Sequence, residues 1–171
     1  MSLVGLRYFA IFGPKKITMK NTFIALALVL FISCDNDKKA EEDIDYVAKN
    51  EADIQAYIAD NDLSAVRSSS GLYYVIEEEG TGTQAVASSN VTVAYKGYFL
   101  NGSVFDQSSA EGITFSLNGV IAGWTEGITY FKEGGSGILL VPAHLGYGSR
   151  DYRGIPGGSV LIFEVSLISV S

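Results

Sequence analysis

The sequence is short of the side chains that cross-link chains or hold metals. Its 171 residues include one cysteine and one histidine. A single cysteine excludes an internal disulfide framework. One histidine without a second cysteine leaves a structural zinc site without ligands, so no metal and no cofactor are expected. Basic residues are also few, 12 against 19 acidic, for a net charge of −7. That balance argues against a nucleic-acid partner, which requires a basic stripe to neutralise phosphates. Proline occurs three times. The apolar run Phe23–Ile32 stops well short of the ~20 residues that span a bilayer. Glycine, in contrast, occurs 19 times, above its usual share of ~7%. Many glycines with few prolines point to strands joined by tight turns.

What is present is unevenly distributed. Residues 1–33 carry Arg7, Lys15, Lys16 and Lys20 and no acidic residue, which leaves 34–171 with eight basic and nineteen acidic residues, a net of −11. A basic segment followed by the apolar run Phe23–Ile32 has the pattern of a signal peptide. The lone cysteine, Cys34, ends that run and is followed by Asp35-Asn36-Asp37. This arrangement resembles a bacterial lipoprotein signal, in which the cysteine is lipidated and the chain is cut before it; the alternative is a plain secretory signal with a free thiol. Ser33 is the small residue such a signal favours, whereas Phe31 and Ile32 depart from it. Multiple acylation of Cys34 gives a stable membrane anchor. The expected location is therefore the bacterial cell envelope, at the outer membrane, on its periplasmic or surface face. Met19 reads as a natural start, with 1–18 an overextension. The expected organisation is a signal peptide over 1–33, a lipidated tether, helix and Ser-rich hinge over 34–70, and the main folded domain over 71–171.

Residues 35–43 are dense in charge and read as a solvated tether. From Ile44 onward, Ile44, Val47, Ile54, Tyr57 and Ile58 recur at helical spacing, which predicts an amphipathic helix over about 42–60, ended by Asn61-Asp62. The stripe suits packing on the protein's own domain, or alternatively a homodimer contact through the 44–60 helix. Beyond Gly71 the period changes to two. Strands are predicted at 72–76, 91–95, 113–117, 138–141 and 160–167, with a loop at Asn101-Gly102. Trp124, Ile128 and Phe131 recur at i, i+4, i+7 and predict one short helix closed by Gly134-Gly135. Five or six strands and one short helix imply an α+β domain with an antiparallel sheet.

The motifs are more specific. Tyr95-Lys96-Gly97 precedes Asn101-Gly102-Ser103-Val104-Phe105-Asp106. Next come Phe115-Ser116-Leu117 and Val120-Ile121-Ala122-Gly123-Trp124. Val141-Pro142 leads to Leu145-Gly146-Tyr147-Gly148, and Ile155-Pro156-Gly157-Gly158 leads to Phe163. Over about residues 70–171 these blocks resemble the FK506-binding-protein (FKBP) type peptidyl-prolyl cis–trans isomerases. The resemblance implies a five- to six-stranded antiparallel sheet wrapped around one short helix. It assigns catalytic positions to Tyr95, Phe105, Asp106, Ile121, Trp124, Tyr147 and Phe163, and substrate-binding positions to Phe115, Val120 and Ile155. Trp124 would be the floor under a proline ring, and the Tyr147 hydroxyl and the Ile121 backbone N–H would be donors to a carbonyl. Proline-containing polypeptides are the implied clients, with FK506- and rapamycin-type macrolides as inhibitors.

Two departures stand out. The 148–154 segment is about one residue shorter than in the best-known small members, and Tyr152 stands where they carry a histidine. Glu111 lies where many members have a basic residue, so Asp106 is expected either without that partner or paired with Arg150 or Arg153. His144 is read as a surface or capping residue. Taken singly, each aromatic reads as plain core; only the joint spacing makes them a site. A peptide-binding or holdase module with little turnover is the competing functional reading.

Overall fold

The computed structural model of the protein describes residues 45–171. The predicted signal peptide, Cys34 and the tether 35–43 lie outside the described residues. Seven strands form one antiparallel sheet: β1 (Val66–Arg67), β2 (Tyr73–Glu78), β3 (Asn90–Phe99), β4 (Val104–Gln107), β5 (Ile113–Ser116), β6 (Ser136–Val141) and β7 (Leu161–Val170). Their order is β1-β2-β6-β7-β3-β4, with β5 also on β3. Strand β3 serves two partners on one edge because it is long. Its first half pairs with β5 from Asn90↔Ser116 to Val93↔Ile113, and its second half pairs with β4 from Lys96↔Gln107 to Tyr98↔Val104. The fold is the α+β, FKBP-like arrangement that the resemblance implied.

Two strands were not predicted. Strand β4 follows the Asn101-Gly102 turn, where Gly102 has φ +81 and its N–H donates to Phe99 O at 2.8 Å. Its sequence, Val104-Phe105-Asp106-Gln107, lacks apolar alternation. Strand β1 lies in the segment 64–70, read from sequence as a Ser-rich hinge. Pairing Val66↔Tyr74 and Arg67↔Tyr73 orders it, and Ser70 Oγ donates to Glu126 at 2.6 Å. Serines that satisfy their hydroxyls on a neighbouring element do not loosen a chain.

The sheet has two packed faces. On the inner face, Leu72, Val91, Val93, Leu139, Val141, Leu161, Phe163, Val165 and Leu167 surround Trp124, Ile128 and Phe131. The short helix α2 (Ala122–Gly127) ends earlier than its apolar spacing predicted and continues as a 3-10 turn over Ile128–Tyr130, with Phe131 already extended. All three spaced residues are nevertheless buried.

On the outer face lies α1 (Tyr46–Asp60). Asp45 caps it, its carboxylate accepting from the N–H groups of Val47 (3.0 Å) and Ala48 (3.2 Å), as N-cap acids do. Asn61 closes it, donating through Nδ2 to Tyr57 O. Ile54 is 0% exposed among Tyr73, Ile138, Leu140, Val160 and Ile162, with Tyr57 and Ile58 packed alongside. The described part of the apolar stripe therefore meets its own domain, with Val47 the described stripe residue left exposed; Ile44 lies outside the described residues. This explains the near-continuous apolar run of β6: Leu139 and Val141 face inward while Ile138 and Leu140 face α1. Glu51 ties the helix to the β1–β2 hairpin, accepting from Tyr73 Oη at 2.6 Å and from Arg67 Nε at 3.2 Å. The Tyr73 hydroxyl first, then Arg67, holds the Glu51 carboxyl below its ordinary range.

Candidate functional site

At one end of the inner face the rings do not close. They bound a cleft of about 470 Å³ lined by Tyr95, Phe105, Asp106, Phe115, Gly119, Val120, Ile121, Trp124, Tyr147, Tyr152 and Phe163. That volume falls within the ~300–1,000 Å³ typical of small-ligand sites. Strand β3 supplies Tyr95, β4 supplies Phe105 and Asp106, β5 supplies Phe115, β7 supplies Phe163, and α2 with its entry supplies Ile121 and Trp124. Consecutive strand residues ordinarily point to opposite faces. Phe105 and Asp106 both reach the cleft because the β3–β4 register shifts between Gly97 and Tyr98, and such a shift re-aims side chains.

The ring geometry is specific. Trp124 meets Tyr95, Phe115 and Phe163 at interplanar angles of 88°, 80° and 83°, with centroids 5.1, 5.5 and 5.3 Å away. Phe105 meets Phe163 at 89° and 5.5 Å. Edge-to-face pairing is favoured by the ring quadrupole, and here it stands the walls upright around the indole. Gly97 makes the closure possible. A Cβ there would lie 2.7 Å from Phe105 Cζ and 3.0 Å from Phe163 Cε1, closer than carbon atoms pack.

Polar groups are few. The Tyr95 hydroxyl donates to Asp106 Oδ2 at 2.6 Å, and Asp106 Oδ1 accepts the Gln107 N–H at 2.9 Å. Among the described residues neither Arg150 nor Arg153 pairs with Asp106; Tyr95 is its side-chain partner instead. Arg153 lies over the Tyr152 ring at 5.4 Å. Burial first, then the hydrogen bond to Asp106 and its charge, push the Tyr95 phenol well above its ordinary range. Burial likewise raises Tyr147, with smaller contributions from Tyr152 and Asp106. The Trp124 indole N–H is buried without a hydrogen-bond partner. Among the described residues the Ile121 N–H has no acceptor either.

Nine of the ten side chains placed here from the sequence line this cleft. The tenth, Ile155, does not line it. It packs against the inner core and exchanges both backbone hydrogen bonds with Tyr152 at 2.9 Å. Tyr152 takes the rim position, stacked on Tyr147 at 4.8 Å and 12°. Tyr152 was read from sequence only as a departure from the family pattern. Its place five residues beyond Tyr147, in a loop aligned with a family flap, was the available signal. His144, at the surface, has Nε2 2.9 Å from Ser70 O.

The comparisons agree with this geometry. Residues 81–168 match the family model described as FKBP-type peptidyl-prolyl cis-trans isomerase. An FKBP-type peptidyl-prolyl cis-trans isomerase FkpA from Buchnera aphidicola (subspecies Baizongia pistaciae) is 45% identical over 108 residues, covering 62% of this chain and 43% of the relative. A probable FkpA from Neisseria meningitidis serogroup B is 32% identical over 168 residues, 94% of this chain and 61% of the relative. The crystal structure of FkpA from Escherichia coli superposes with a TM-score of 0.66 at 39% identity, covering 73% of this chain and 61% of that one. The chain thus spans less than two thirds of the length of these relatives. The rings that enclose the cleft, from Tyr95 to Phe163, all lie within the matched residues, and on that match the chain belongs to the FKBP-type peptidyl-prolyl cis-trans isomerase family.

Proposed function

We propose that this protein is an active peptidyl-prolyl cis–trans isomerase that speeds the folding of exported or envelope proteins. The observation that carries the reading is the Trp124 floor enclosed by upright Tyr95, Phe115 and Phe163 rings, open to solvent on one side. Rotation about an X–Pro bond is opposed by ~18–20 kcal/mol of amide resonance, while the two planar isomers differ by only ~0.5–1 kcal/mol. No acid, base, nucleophile or metal is required. A catalyst must hold the twisted amide better than either planar form. The planar amide is the more dipolar, so an apolar cavity penalises it relative to the twisted one. The aromatic walls grip the proline ring, and the Tyr147 hydroxyl and the Ile121 N–H are available to its flanking carbonyls. Asp106 acts by holding the Tyr95 ring in place through its hydroxyl.

Uncatalysed isomerisation takes tens of seconds, slow enough to limit folding, and its catalysis consumes no ATP. That suits an envelope protein. The same reading includes lipid anchoring through Cys34 at the outer membrane, supported by Lys15, Lys16, Lys20 and the apolar run that precede it. No described helix is long and apolar enough to cross a membrane. Labelled palmitate is expected on wild type and not on Cys34→Ala; unlabelled wild type would sink the anchor.

The decisive measurement of activity is the cis-to-trans relaxation of Ala-Leu-Pro-Phe and Ala-Glu-Pro-Phe peptides. The protein is expected to accelerate it, and FK506 or rapamycin to block the acceleration. Peptide binding with an unchanged relaxation rate would favour the holdase reading and overturn this one.

A further inference from the structure

Asn50 lies on α1, upstream of the residues that match the family, and is 1% exposed. Neither of its side-chain hydrogen-bond partners lines the cleft. Its amide nevertheless spans the neck of the loop that forms the cleft's rim. Asn50 Oδ1 accepts the Ala143 N–H at 2.8 Å, and Asn50 Nδ2 donates to Gly158 O at 2.9 Å. These two contacts lie at opposite ends of the segment that carries Tyr147 and Tyr152.

The neck is closed by a short chain of hydrogen bonds. Ala143 O accepts the N–H groups of Gly146 (3.0 Å) and Gly148 (2.8 Å), and Gly148 O accepts that of Gly158 (2.9 Å). Asn50 completes it on both sides, with its amide orientation set because one end must accept and the other donate. Gly158 has φ +76, and a Cβ there would overlap the Tyr46 ring, so α1 also presses on the neck directly. Within the loop, the Tyr152–Ile155 pair and Asp151 Oδ1 accepting from Gly157 N–H at 2.8 Å are local ties, while His144 Nε2, 2.9 Å from Ser70 O, and Leu145 and Ile155, packed on the inner core, hold it from outside. The two cleft tyrosines that the loop carries, Tyr147 and Tyr152, are 38% and 43% exposed.

We infer that Asn50 is a positioning residue for the isomerase site: it pins both ends of the 143–158 loop, so that the stacked Tyr147–Tyr152 pair stands at the rim where it meets the residues flanking the substrate proline. The inference rests on the isomerase reading of the cleft. Site groups held from outside the site must be placed within fractions of an ångström to act.

The test compares Asn50→Ala with Ile54→Ala, which removes buried apolar volume beneath the same helix but leaves both Asn50 hydrogen bonds to the neck in place. Both are assayed well below their melting temperatures on the Leu-Pro and Glu-Pro peptides, with hydrogen exchange read over residues 143–158. Asn50→Ala is expected to lower kcat/KM by about tenfold, to change the ratio between the two peptides, and to speed loop exchange. Ile54→Ala is expected to lose thermal stability and keep wild-type kcat/KM, peptide ratio and loop exchange. Should Asn50→Ala fail to fold, Asn50→Asp keeps an acceptor for Ala143, loses the donor to Gly158, and should show the same changes to a smaller degree. A folded Asn50 variant with wild-type kcat/KM, ratio and loop exchange would overturn the inference and leave Asn50 a stability residue. If wild type itself shows no isomerisation, the isomerase reading fails, and loop exchange in the two variants still decides whether Asn50 pins the loop.

Discussion

Ile54 disappears among Leu140, Val160 and Ile162 on one face of the sheet, while on the other Trp124 stands among rings set nearly perpendicular to it, with a cleft left between them. The outer face is mainly aliphatic where α1 covers it, and branched side chains interdigitate until no residue of that cluster's centre is exposed. The inner face is aliphatic near Val93 and Leu167 but aromatic at its open end. Upright rings cannot fill the space between them as leucines do. The same sheet therefore holds one region shaped for stability and one that forgoes close packing to keep a site, down to an indole N–H left without a partner, an arrangement that ordinarily costs about 1–3 kcal/mol.

Substitutions in each region should separate the two roles. Trp124→Ala removes the floor and a large share of the inner core. It should cost roughly 3–5 kcal/mol of stability and abolish catalysis, read by chemical denaturation and by peptide relaxation. Retained activity would mean that the rings are core alone. Ile54→Ala should cost roughly 2–5 kcal/mol with kcat/KM unchanged for the folded fraction, and a matched loss of activity would show that the two faces are not independent. Asp106→Val should do the reverse. It frees the Tyr95 hydroxyl at the cleft edge, lowers kcat/KM by about tenfold through misplacement of that ring, and changes the melting temperature little.

The smallest expected effects are in pH dependence, and they differ in sign between the faces. Tyr95 titrates above its ordinary value near 10, so the stability it contributes is complete below that pH and lost as pH rises through the folded value. Tyr95→Phe should flatten the alkaline limb of the stability curve. Glu51 titrates below its ordinary value near 4.5, so its contribution is present above that pH and lost as pH falls through the folded value. Glu51→Gln should flatten the acid limb by a small amount, since the pair is largely solvated. Unchanged limbs in either variant would remove that group from the comparison.

Much of the site was legible because its residues come in blocks. Tyr95, Phe105, Asp106, Trp124 and Phe163 sit in short motifs whose spacing is local, and each motif lies on one strand or turn. The helix at 46–60 was legible from its stripe, and its end from Asn61. Strand β4 was not, because its four residues carry no alternation and are ordered only by pairing with β3. The role of the 64–70 serines was hidden for the same reason: their partners, β2 and Glu126, are distant in sequence. Tyr152 was visible as a letter out of place, but its stacking on Tyr147 depends on how the loop folds back.

By itself, the sequence determined which residues alternate, which form turns, and which aromatic types are available for an apolar pocket, since periodicity and motif spacing are properties of neighbouring residues. Tertiary structure alone decided that the outer face would be closed by α1, that Ile155 would support the rim and Tyr152 form it, and that Asn50 would reach Ala143 and Gly158 across separations of 93 and 108 residues. Those outcomes depend on hydrogen bonds and packing between elements far apart in the chain, and they come into being only when the sheet has brought its two faces together.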